Sequence, residues 1–170
     1  MIQTKGIKDF LFLGILIILA FWLSPFILIG VFIYFIYRIR KTYLRKKLFE
    51  EIKKKWFPQG KYIFFLYSDS KKWKEYFETE FIPKIETKAV IRNWSTRLQD
   101  GWTNDIEGKI LKLHKPLGYF YPMAIVFLPN GEIKTFEFYT PYVNMVKSGK
   151  DEYKKLETEF FDLVNTLPVK

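Results

Sequence analysis

From Phe10 to Tyr37 the chain carries no charged side chain, and FLFLGILIILAFWLSPFILIGVFIYFIY is interrupted only at Ser24-Pro25. At roughly 1.5 Å per residue this run makes about 42 Å of helix, against a hydrocarbon thickness of roughly 30 Å. Residues 1–37 are therefore expected to be a membrane anchor. It is either a single transmembrane helix, tilted or kinked, or a membrane hairpin turning at Ser24-Pro25. In the hairpin each arm is only about 20 Å long, and its turn needs protein cover for backbone groups that lipid cannot satisfy. The run is too long for a cleaved signal peptide, and no small-residue cleavage pattern follows it.

The flanks set the orientation. Lys5, Lys8 and Asp9 precede the run, and Arg38, Arg40, Lys41, Arg45, Lys46 and Lys47 follow it. The positive-inside rule then puts the C-terminal part in the cytoplasm. Of the chain's formal charge of +10, residues 38–55 carry +7. The basicity thus belongs to the membrane-proximal segment, where it sets topology and meets anionic lipid headgroups. A nucleic-acid partner would call for it on the folded domain, so none is expected. Leu44, Leu48, Ile52 and Trp56 recur four apart through this segment, which reads as a basic amphipathic stalk helix. Phe57-Pro58-Gln59-Gly60 ends it. Residues 38–60 are thus stalk and linker, and residues 61–170 a soluble domain.

In that domain KYIFFLY, from Lys61, is β-branched and aromatic enough for a buried strand. Ser68, Asp69 and Ser70 supply helix caps. Trp73, Tyr76, Phe77 and Phe81 form the stripe of a helix that Pro83 stops, and KAVIRNW from Lys88 is the next strand. Residues 95–103 read as a loop. Asn104 with Glu107 resembles a capping pair for a short helix through Ile106, Ile110 and Leu113. Met123–Leu128 is a continuous apolar run, long enough for a central strand and too short for a helix. Pro129-Asn130-Gly131 turns it into the alternating IKTFEF. Residues 139–149 read as a loop with one helical turn. Tyr153, Leu156, Phe160, Leu163, Val164 and Leu167 share one face of a last helix.

From Lys61 the order is β-α-β-α-β-β-α, with Pro122 opening the third strand and a glycine hairpin after it. That order, and PMAIVFLPNGEI in particular, resembles the thioredoxin family. The resemblance implies an α/β fold with a mixed sheet and helices on both faces, and a cis bond before Pro122. The chain departs from the family at the Cys-x-x-Cys position, where it has Ser68-Asp69-Ser70-Lys71-Lys72-Trp73-Lys74. It has no cysteine at all. Dithiol exchange is excluded. What the resemblance leaves is protein binding on the surface by which the family holds extended peptide, here Ser70, Trp73, Trp94, Tyr121 and Pro122.

The expected function is accordingly that of a membrane-tethered, redox-inactive thioredoxin-like domain that binds a protein partner, as an adaptor or assembly factor of a membrane complex. No catalysis and no cofactor are expected. The alternatives are an immunity or inhibitor protein, and a non-redox enzyme using Ser68, Asp69, Ser70 or His114. His114 reads as a helix C-terminal residue. Asp100, Asp105 and Glu107 are a weak metal signal without histidine, cysteine or a calcium-loop pattern. The aromatics Trp94, Trp102, Tyr119, Phe120 and Tyr121 lie at the end of the sheet, where this fold places its ligands, and serve either as core or as partner contacts.

Overall fold

A computed structural model describes residues 3–114 and 121–168. Within the N-terminal helix it describes the side chains of residues 12, 14, 22 and those from 24 onward. The side chains of Lys5, Lys8 and Asp9, and the whole of Tyr119 and Phe120, used above, lie outside this description. The chain divides into two compact units, Met1–Tyr43 and Leu44–Lys170.

Helix α1 runs from Gln3 to Lys55 with Pro25 inside it, so the backbone shows one helix and no turn at Ser24-Pro25. Every described side chain from residue 24 to residue 40 is exposed, and Phe26 to Tyr37 present their apolar surface at 50 to 70 %. Among the described residues no helix is long and apolar enough to cross a membrane. Much of the uncharged run, from residue 10 to residue 21, lies outside the described side chains.

The second unit is a mixed α/β domain on a four-stranded sheet. Its elements are β1 (Ile63–Tyr67), α2 (residues 74–85), β2 (Ala89–Asn93), the single turn α3 (Arg97–Asp100), α4 (Ile106–His114), β3 (Met123–Phe127), β4 (Ile133–Glu137), α5 (Tyr139–Ser148) and α6 (Glu152–Thr166). The strand order is β2-β1-β3-β4. β1 runs parallel to β2, as a helical crossover requires, and antiparallel to β3, which pairs antiparallel with β4. In register, Leu66 faces Met123 and Tyr67 faces Asn93. The end of β1, the end of β2 and the start of β3 therefore meet at one end of the sheet.

Alternation along the central strands gives each face its own core. On one face Ile63, Phe65, Ala124, Val126 and Phe136 pack against Phe77 and Phe81 of α2, Tyr142 of α5, and Tyr153, Phe160 and Val164 of α6. On the other, Phe64, Leu66, Met123, Ile125 and Phe127 pack against Ile106, Ile110 and Leu111 of α4 and against Leu48, Ile52 and Trp56. The last three belong to α1. Residues 44–56, read from sequence as a stalk outside the domain, form part of its second helical layer, so the boundary falls after Tyr43 and not near Lys61. Ile52 is fully buried. Arg45 Nε donates to the Leu113 carbonyl at 2.9 Å, and Lys109 Nζ meets Glu51 at 2.9 Å, tying this part of α1 to α4.

The hairpin closes through Leu128, whose N–H donates to the Glu132 carbonyl and whose carbonyl accepts from Gly131 N–H. The loop between them has three residues, of which only Gly131 takes a positive φ, of 92°, while Asn130 turns by accepting the Glu132 N–H on its side chain. Two local expectations fail for identifiable reasons. Helix α2 continues through Pro83 because a π turn, Phe77–Phe81, widens the helix just before the ring. The 139–148 segment is a full helix, not a loop. Pro141 sits in its first turn, where a backbone N–H is not needed, and Gly149 closes it in the left-handed conformation with its N–H on the Met145 carbonyl.

Candidate functional site

Loops after β1 and β2 and before β3 converge at the sheet end defined by Tyr67, Asn93 and Met123. There the Tyr121-Pro122 peptide is cis, and the Pro122 carbonyl accepts the Phe138 N–H at 3.0 Å. Trp94, immediately after β2, is held by its N–H on the Tyr67 carbonyl at 2.7 Å. Its ring lies 5.1 Å from that of Tyr121 and 6.0 Å from that of Trp102. The Arg97 guanidinium covers the Trp94 ring at 4.4 Å and donates to its carbonyl at 2.9 Å. Trp94 and Arg97 are half-buried, whereas Tyr121 and Pro122 are buried. An aromatic ring capped by a guanidinium combines apolar area with fixed positive charge, a pairing suited to protein contact.

Beside it lies a polar cluster. Asp69 takes Lys74 Nζ at 2.7 Å and Asn93 Nδ2 at 3.0 Å, and its backbone N–H donates to Ser95 Oγ at 2.9 Å. Lys74, and then Asn93, hold the Asp69 carboxyl below the usual range, and Asp69 in turn raises Lys74. Tyr67 donates its hydroxyl to Glu78 at 3.0 Å, and burial together with that carboxylate pushes its pKa up to about 12. Asp69 is thus committed to bridging the two loops. The Ser68–Ser70 segment does not cap α2 with a side chain: α2 begins at Lys74, whose N–H goes to the Ser70 carbonyl, and Ser70 Oγ accepts only the Lys72 N–H at 3.4 Å.

Of the five residues expected to form one surface, all lie at this end of the sheet, but they do not share a face. Trp73 is buried in the core on the α2, α5 and α6 side, edge-on to Tyr139 at 5.4 Å, while Trp94 and Tyr121 belong to the α4 side. Helical periodicity showed that Trp73 is apolar-facing without showing which layer it enters. Ser70 and Trp94 keep accessible surface. Arg97, Asn93 and Ser95, which the sequence reading missed, complete the rim. Arg97 was legible as the residue three beyond Trp94.

The other candidates separate. His114 lies beside Phe127, 6.2 Å ring to ring, and Phe127 is at the far end of β3 from Met123. The antiparallel register therefore places His114 at the opposite end of the sheet from Ser68, Asp69 and Ser70. Glu107 does not cap α4; it is buried and accepts Arg92 Nη2 at 2.7 Å across from β2. Asp100 accepts the Thr96 hydroxyl, so these two carboxylates are occupied separately. Among the described residues no group of histidine and carboxylate side chains is placed to hold a metal. Two buried donors on the α4 side, Arg92 Nε and Trp102 Nε1, have no acceptor among the described residues.

Set against known protein families, curated proteins and solved structures, the chain matches none of them.

Proposed function

We propose that this chain is a membrane-tethered, redox-inactive thioredoxin-like domain that binds a protein partner, as an adaptor or assembly factor of a membrane complex. The observation that carries the reading is the sheet end. A strand order of β2-β1-β3-β4 and a cis peptide at Tyr121-Pro122 surround a tryptophan capped by arginine, with no thiol in the chain. The binding surface is Ser70, Trp94 and Arg97. Tyr121 packs beneath Trp94 from within, beside the cis peptide to Pro122, whereas Trp73 lies in the core on the other face of the sheet. Commitment of Asp69 and the remoteness of His114 weigh against a non-redox enzyme.

The tether is supported by the uncharged run from Phe10 to Tyr37 and by the exposure of Phe26 to Tyr37 on every side of α1, more apolar surface than a water-facing helix carries. In this reading Arg38, Arg40, Lys41, Lys46 and Lys47 meet anionic headgroups at about 1 kcal/mol each. Arg45 contributes less, because it is bonded to Leu113. The Leu44–Lys170 unit lies on the cytoplasmic side.

Co-purification of the full chain from membranes in mild detergent tests the reading. A stoichiometric protein partner is expected with the native chain, and its loss with Arg97→Glu while near-ultraviolet circular dichroism stays unchanged. A bound small molecule in place of a protein, or retention of the partner by Arg97→Glu, contradicts it.

A further inference from the structure

A second surface feature lies on the opposite side of the sheet from Trp94 and Arg97. Helix α5 and the turn before α2 enclose a groove of about 190 Å³ lined by Lys72, Tyr142, Val143, Val146 and Lys147. Its floor is apolar: Tyr142 is buried in the core beneath, and Val146 stands 66 % exposed above it. The volume is below the roughly 300 Å³ at which clefts hold a whole small molecule, and suits one inserted side chain. Charge decides what surrounds that side chain. Lys72 and Lys147 line the groove, and like most of the described lysines they form no ion pair among the described residues. Two unneutralised ammonium groups beside an apolar slot favour a ligand that brings carboxylates on both sides of its anchor, and repel a basic one.

We propose that this groove anchors a segment of a partner protein that carries one bulky aliphatic side chain between acidic residues. The aliphatic group fills the slot over Tyr142 and Val143, covering Val146, and flanking carboxylates pair with Lys72 and Lys147. This rests on the reading that the domain binds protein, but on residues separate from Trp94 and Arg97. The two can therefore fail independently.

The test uses the full chain in neutral detergent and fluorescein-labelled peptides, read by anisotropy. The acetylated peptide Glu-Asp-Leu-Asp-Glu is expected to bind at least tenfold more tightly than Lys-Lys-Leu-Lys-Lys or Glu-Asp-Ala-Asp-Glu. Val146→Asp, at an exposed position that the fold does not need, should weaken the leucine peptide at least tenfold. Lys72→Glu combined with Lys147→Glu should reverse the preference toward the basic peptide, and Arg97→Glu, which lies on the other surface, should leave the affinities for these peptides as they are. Equal binding of the acidic and basic peptides, or of the leucine and alanine peptides, overturns the proposal. So does full binding by Val146→Asp. Loss of binding with Arg97→Glu alone also overturns the groove, yet leaves the Trp94 surface standing. Self-association of the chain that Val146→Asp abolishes would make the occupant a second copy, and would overturn it too.

Discussion

Gly108 in α4 packs against the preceding turn so closely that a Cβ built on it would lie 1.6 Å from the Thr103 carbonyl oxygen. That neighbour is backbone and cannot rotate away, so Gly108→Ala must displace α4 from the turn at Trp102. A loss of about 3 kcal/mol is expected in urea unfolding, at the upper end of overpacking costs. A second residue-scale expectation concerns three tyrosines. Tyr76 donates to Glu157 at 2.6 Å and Tyr153 shares that carboxylate at 3.5 Å, with Tyr142 packed beside both. Burial, and then Glu157, push Tyr76 up to about 12, and burial raises Tyr153 and Tyr142 as well. Below about pH 10 both folded and unfolded chains keep these protons, and stability is unaffected. Between about 10 and 12 only the unfolded chain releases them, so stability falls as pH rises. The melting temperature should drop across that window, and the drop should be shallower in Tyr76→Phe combined with Tyr153→Phe. None of this cluster was legible beforehand, because sequence periodicity put Tyr76 and Tyr153 on apolar faces without bringing their hydroxyls to one carboxylate.

At the scale of elements, the hairpin, the two parallel strands and the last helix could be read from apolar runs and turn residues. Helix α5 could not. Pro141 and Gly149 look like loop residues until their positions are known, one in the first turn of a helix and the other just past its end. The larger difference between sequence and structure is in α1. The four-residue spacing of Leu48, Ile52 and Trp56 showed an apolar face, but an amphipathic stalk and a core helix have the same pattern, and lysine stems on the outer side disguised the difference. Because Ile52 is fully buried against the sheet, Ile52→Ala should cost about 2 to 5 kcal/mol. A fragment of residues 61–170 exposes Phe64, Phe127 and the rest of that face. It should be molten, with dye binding and no near-ultraviolet signal, whereas residues 44–170 should unfold cooperatively. Cooperative unfolding of the shorter fragment would contradict the role assigned to α1.

For the whole molecule, charge asymmetry and the uncharged run were the plainest messages of the sequence, and the face assignment of the candidate site the least plain. Trp73 and Trp94 flank the same sheet end, but only the three-dimensional layering shows that one fills the α2 side and the other the α4 side. The placement proposed for the domain rests on the run and its flanks, and the absence of cysteine makes it directly measurable, because any thiol introduced is the only one in the chain. Asn165 is exposed near the end of α6. In intact cells Asn165→Cys should stay unlabelled by a membrane-impermeant maleimide, become fully labelled once the cells are permeabilised, and remain in the membrane fraction after alkaline carbonate extraction. Labelling of intact cells, or release of the chain by carbonate, would contradict a membrane-tethered domain facing the cytoplasm.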